Sequence, residues 1–161
     1  MKILIFNFLI LLLIEQQINF IKACSCRNTT VKDIYCPSNW AAHTLILKRE
    51  EIKEGAVWEW KLRYTAKFLK VFKGKEEDCE YTKNNIYYLF TYANDGLCGV
   101  NLKNNTEYLN FGVYYPNGER NIGLCGYNNE WNAVPEEIKK DLNNGALDDY
   151  CKLKTTNIPK I

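Results

Sequence analysis

"VWEWKLRYTAKFLKVFKG", residues 57–74, decides how this chain is built. Trp58, Trp60, Leu62, Tyr64, Ala66, Phe68 and Phe72 alternate with Glu59, Lys61, Arg63, Thr65, Lys67 and Lys73. A period of two marks a strand with one buried face. A strand this long twists rather than staying flat, and such strands coil around barrels. Working outward, further strands are expected over 41–52 ("AAHTLILKREEI"), 85–92 ("NIYYLFTY"), 108–115 ("YLNFGVYY") and 120–125 ("RNIGLC"). The turn signal "PNGE", Pro116 to Glu119, should pair the last two as a hairpin. "TVKDIYC" carries a Thr30/Asp33 capping-box pattern, which predicts a short helix near the start. "NAVPEEIKKDLNNG", 132–145, predicts another: Pro135 suits its first turn, Glu136 and Glu137 follow, and Gly145 can end it. The expected fold class is mainly β (α+β). It is an OB-like closed five-stranded β-barrel with two or three short flanking helices, stapled by disulfides.

Residues 1–23 read as a secretory signal peptide. Lys2 supplies the positive start, Ile3 to Ile14 are apolar except for Asn7, and small Ala23 ends the segment. Glu15, Gln16 and Gln17 break the run short of the ~20 apolar residues of a spanning helix. Cleavage after Ala23 would make Cys24 the amino terminus. Residues 24–151 are then expected to form one domain, with a short tail over 152–161. No repeat, low-complexity run or Pro/Gly-rich linker divides it. Loss of Lys2, Lys22 and Glu15 lowers the formal net charge of +2 by one, so nothing calls for nucleic acid or a membrane surface. The seven cysteines, Cys24, Cys26, Cys36, Cys79, Cys98, Cys125 and Cys151, all follow Ala23. In an oxidising compartment they form disulfides, and an odd number leaves at least one unpaired within the chain. Sequons at Asn28 ("NTT") and Asn104 ("NNT") fit a protein secreted to the extracellular space.

The first three cysteines follow the spacing C-x-C-x9-C from Cys24. This opening resembles the tissue inhibitors of metalloproteinases, in their amino-terminal netrin-like domain. "KVFKG", "FTYANDGLCG", "YLNFG", the "EWN" after Cys125 and a last cysteine at Cys151 follow in the family's order. The resemblance implies the disulfides Cys24–Cys98, Cys26–Cys125 and Cys36–Cys151. Cys79, in "GKEEDCEYTKNN", is then left over. It is expected either to be capped by a small molecule or to bridge to a second copy or another protein, a route to a dimer.

The resemblance also implies a mechanism. A catalytic zinc in a metalloprotease has three protein ligands and one open position. The family fills that position with the free α-amine and carbonyl of its first cysteine, here Cys24. Cys24 and Cys26 point to one side of an extended segment and Ser25 to the other. Ser25 would enter the S1′ pocket, with Cys26, Arg27 and the trio Asp95, Gly96 and Leu97 completing the contact. No cofactor of its own is expected, only the target's zinc. Two features depart from the family. Vertebrate members carry a second, six-cysteine domain, whose functions are expected to be absent here. Arg27 and the Asn28 sequon fall where the protease cleft should lie: Arg27 could alter selectivity, and either the sequon is unused, its glycan points away from the protease, or the protein does not inhibit the family's usual targets.

The expected partners are secreted or membrane-bound zinc metalloproteases. The alternative is a non-inhibitory netrin-like binding module for a matrix or cell-surface partner. An enzyme is not expected. His43 is the one histidine and sits in a strand, and the cysteines are needed for disulfides. Lys61, Arg63, Lys67, Lys73 and Lys75 could bind sulfated glycosaminoglycans, as some family members do, or simply be a solvated face. Trp58 and Trp60 read as core and rim residues.

Overall fold

A computed structural model describes residues 24–74, 84–93 and 95–156. Residues 1–23, expected to be a signal peptide, and Lys75 and Cys79 lie outside the described residues.

The long strand forms. β2 (Lys61–Lys73) runs antiparallel to β1 (Trp40–Ile52) along its length, from Ile52 opposite Lys61 to Ala41 opposite Lys73. Register shifts at Ala41/Ala42, His43/Thr44 and Ile46/Lys48 let this pair coil, because a bulge adds local twist. β3 (Ile86–Tyr92) pairs antiparallel with β2. β4 (Thr106–Tyr114) and β5 (Arg120–Asn121) form the expected hairpin, and β5 lies parallel to β3. Pairing of β1 with β4 closes the five-stranded mixed barrel. β6 (Asn128–Glu130) adds to the outer edge of β4.

Alternation sorts side chains to two cores. Ala42, Ile46, Leu62, Tyr64, Phe68 and Leu89 fill the barrel interior. On the outside, Ala41, Leu109 and Phe111 pack beneath the helices with Tyr35, Leu142 and Leu147. The helices are α1 (Val31–Tyr35), α2 (Glu136–Asn143) and α3 (Ala146–Thr156). Trp40 lies against Gly112, where a Cβ would strike both its indole and the Asn121 carbonyl, so only glycine fits.

Two expectations need correction. The strand begins at Lys61, not Val57. Gly55 adopts φ 74 and Val57–Glu59 form a 3-10 turn, so Trp58 is 67% exposed rather than core. β5 is two residues long, because the chain turns after Asn121 to bury Ile122. The helix expected within 132–145 forms as α2, with Pro135 at its start and Glu136 and Glu137 in its first turn, after a 3-10 turn (Trp131–Ala133). Beyond Cys151, α3 continues to Thr156.

The capping box forms as the sequence predicts. Thr30 Oγ1 accepts from Asp33 N–H at 3.3 Å, and Thr30 N–H donates to Asp33 Oδ2 at 3.4 Å. Lys154 donates to Asp33 Oδ1 at 2.9 Å, joining α3 to the start of α1. The Lys154 hydrogen bond, with those from Thr30, holds the Asp33 carboxyl at about 2 rather than 3.8. The folded value lies below the unfolded one. The stabilisation is therefore complete above about pH 3.8 and is lost as pH falls towards 2. Added salt should weaken it, since the pair is open to solvent. An NMR titration of Asp33 should give a midpoint near 2, moving towards 3.8 in Lys154→Ala. An unchanged midpoint in the variant would remove Lys154 from the account.

Candidate functional site: a cross-linked edge

Residues 24–30 form no helix or strand, and two disulfides hold their beginning. Cys24 is bonded to Cys98 and Cys26 to Cys125. Between these anchors Ser25 is exposed, as are Arg27 and Asn28 beyond them. The third disulfide, Cys36–Cys151, joins the end of α1 to α3. These are the three pairs that the resemblance implies.

The anchors are themselves fixed. Cys98 follows a 3-10 turn (Asp95–Leu97) and adopts φ 62, a left-handed conformation unusual for a residue with a side chain. The chain after it is gripped by the barrel. Val100 N–H donates to Thr91 Oγ1 at 3.1 Å. The Tyr64 hydroxyl donates to Val100 O at 2.9 Å and accepts from Leu102 N–H at 3.0 Å. Leu124 N–H donates to Cys98 O at 3.0 Å, so the loops carrying Cys98 and Cys125 are tied to one another. Cys24 Sγ lies 3.8 Å from Gly96 O; a disulfide sulfur has no proton to donate, so this is packing. The loop that carries Gly96 and Leu97 thus sits beside Cys24. These four hydrogen bonds satisfy polar groups on both sides of the loop and favour a single conformation for it.

Tyr64→Phe should expose the worth of this grip. It leaves Val100 O and Leu102 N–H unpaired in buried surroundings, costing about 2–4 kcal/mol in urea unfolding. A loss below about 0.5 kcal/mol would mean that water or a shifted backbone replaces the hydroxyl.

One cavity borders the edge and a second adjoins the first. The first, of about 390 Å³, is lined by Leu97, Cys98, Ile122, Leu124 and Cys125 among others. The second, of about 850 Å³, is lined by Trp58, Lys61, Arg63 and Phe90 among others. Tyr92 and Tyr115 line both. Burial first, and then the hydrogen bond to Tyr92, pushes the Tyr115 phenol above its ordinary value. Trp58 therefore lines the second cavity, which meets the first at Tyr92 and Tyr115, a placement that alternation alone does not reveal. Its signal was Gly55, which ends the pattern just ahead of it.

The remaining candidates are accounted for. His43 stacks on Trp131, with centroids 3.8 Å apart, and its Nε2 meets Glu107 Oε2 at 2.8 Å. Among the described residues no group of three or more His, Cys, Asp and Glu side chains could hold a metal ion. The basic row is partly committed. Lys61 pairs with Glu119 and Arg63 with Glu50. Lys73 donates to the carbonyls of Tyr35 and Cys36, where it satisfies the end of α1. Lys67 is exposed. Asn104 is exposed in the turn before β4. No helix among the described residues is long and apolar enough to cross a membrane.

The sequence model of the family described as "Tissue inhibitor of metalloproteinase" matches residues 22–161. This chain belongs to that family. Among curated proteins, the TIMP-family chain is 28% identical over 134 residues to "Metalloproteinase inhibitor 3" of Xenopus laevis and of Gallus gallus, over 83% of its own length. It is 27% identical over 98 residues to the protein of that name from Scyliorhinus torazame, over 60% of its own length. The match spans 59% and 60% of the first two relatives and 42% of the third. The chain therefore spans about three-fifths of the length of the first two relatives and less of the third.

Proposed function

We propose that the chain is a secreted inhibitor of zinc metalloendopeptidases of the matrix metalloproteinase type and not an enzyme. The α-amine and carbonyl of Cys24 would chelate the target's catalytic zinc, and Ser25 would enter the S1′ pocket. The observation that carries this reading is the double anchoring of Cys24 and Cys26 to two mutually bonded loops, with Ser25 left exposed between them. Membership of the family and the names of the relatives support it.

The chemistry is simple. Nitrogen, Cα, carbon, oxygen and zinc close a five-membered ring in the position where the protease needs water. An α-amine has a pKa of about 7.7–8.0, and the metal lowers it, so binding as the neutral amine costs little near neutral pH. The edge is ordered during folding, so that cost does not fall on binding. Cys26, Arg27, Asp95, Gly96 and Leu97 would contact the protease around the zinc. Nothing in this scheme needs a cofactor beyond the target's own metal.

The test is a titration of the protein beginning at Cys24 against purified matrix and membrane-bound zinc metalloproteases. One-to-one inhibition of at least one enzyme is expected. Tight binding to matrix or cell surface with no enzyme inhibited would favour the non-inhibitory netrin-like module instead.

A further inference from the structure

We propose that Asn28 is an N-glycosylation site whose glycan limits which metalloproteases reach the cross-linked edge. This regulation rests on the function proposed above; the modification itself does not.

Asn28 begins the sequon Asn28-Thr29-Thr30 and is exposed. It follows Cys24 by four positions, so the two Cα atoms lie within ~14 Å even at full extension. A branched oligosaccharide on Asn28 therefore sweeps the volume that a protease rim must enter to bring its zinc to Cys24. In the folded protein Thr30, the sequon hydroxyl, is occupied. Its Oγ1 donates to Asp33 Oδ2 at 2.7 Å and accepts from Asp33 N–H. Transfer must then precede formation of α1.

The disulfides provide that interval. Cys26 waits for Cys125, 99 residues later, and Cys36 waits for Cys151, 115 residues later. At about 5–20 residues per second, the segment stays untethered for roughly 5–20 s after Cys26 is made. During that time Asn28 Nδ2 bonds to the anomeric carbon of an oligosaccharide carried on a polyprenyl pyrophosphate. The amide gives up one proton, the anomeric C–O bond breaks, and the lipid pyrophosphate leaves with the bonding pair.

The second sequon provides an internal control. Asn104 precedes β4, and Gly112, beside the first cavity, is ~20 Å further along that strand from Thr106. A glycan on Asn104 should leave the edge open.

The experiment uses the full chain secreted from eukaryotic cells. Amidase treatment converts a glycosylated Asn28 to Asp, and peptide mass reads its occupancy. Native, amidase-treated, Asn28→Gln and Asn104→Gln proteins are then compared on the same protease panel. Thr30 is left intact because it caps α1. The expected result is an occupied Asn28. Inhibition should tighten by about tenfold or more in Asn28→Gln and after amidase treatment for at least one protease, and stay unchanged in Asn104→Gln. An unmodified Asn28, or equal inhibition with and without its glycan, overturns the proposal. If no form inhibits any protease, the gating falls with the function, while the peptide mass still decides the modification.

Discussion

One alanine placed before Cys24 should abolish inhibition, weakening it by about a thousandfold or more, which is roughly 4 kcal/mol. The extension turns the α-amine into an amide nitrogen, which has no lone pair free for a metal. The five-membered ring cannot form, and zinc keeps its water. The barrel should not notice, because residue 24 is held through its sulfur to Cys98. Thermal unfolding and near-ultraviolet circular dichroism should therefore match those of the unextended protein. Equal inhibition by the two forms would show that the edge binds without using its terminal nitrogen.

The second large effect should come from Cys26→Ser with Cys125→Ser. This pair leaves the Cys24–Cys98 bridge and the terminal amine in place. It frees the segment that the Cys26 bridge holds down. Ordering about three residues again on binding costs roughly 3–6 kcal/mol, or about a hundredfold to ten-thousandfold in affinity. Stability should also fall, by about 2–5 kcal/mol for so long a closed loop. The two losses separate by experiment. Assays at low temperature, with the folded fraction fixed by near-ultraviolet circular dichroism, read affinity alone. Unchanged inhibition by the folded variant would mean that the Cys24 bridge suffices and that rigidity past it contributes nothing.

The barrel was legible because it is amphipathic in a way that strands alone produce. Leu62, Tyr64, Ala66 and Phe68 are buried, and alternation carries that fact openly. The same signal misplaced the start of the strand. Trp58 and Trp60 continue the pattern, yet pairing with β1 ends where Ile52 meets Lys61, and no local feature of residues 57–60 encodes that partner. β6 has only three polar residues, and its place is set by Tyr108, Leu109 and Asn110 across the sheet. In the sequence Gly145 marks the end of a helix. It is also the joint to α3, which buries little besides Leu147 and so carries a weak pattern.

Of the site, the disulfide anchors were legible: the spacing of Cys24 and Cys26 marks the segment that two bridges hold, whereas exposure runs from Ser25 through Thr30 without alternating. The hydrogen bond from Leu124 to Cys98 was not legible, nor was the grip of Tyr64 on Val100 and Leu102. Each joins residues distant in sequence and uses backbone atoms on at least one side, which leave no mark on residue type. Sequence also could not show that Lys61, Arg63 and Lys73 are engaged, since a paired lysine and a free one are spelled alike.

The most direct measurement is the structure of the protein, beginning at Cys24, bound to the catalytic domain of a metalloprotease that it inhibits. The account predicts the Cys24 nitrogen at about 2.0–2.1 Å from zinc, its carbonyl oxygen also on the metal, and no water left there. A zinc that retains its water, with the edge docked elsewhere on the enzyme, would contradict it.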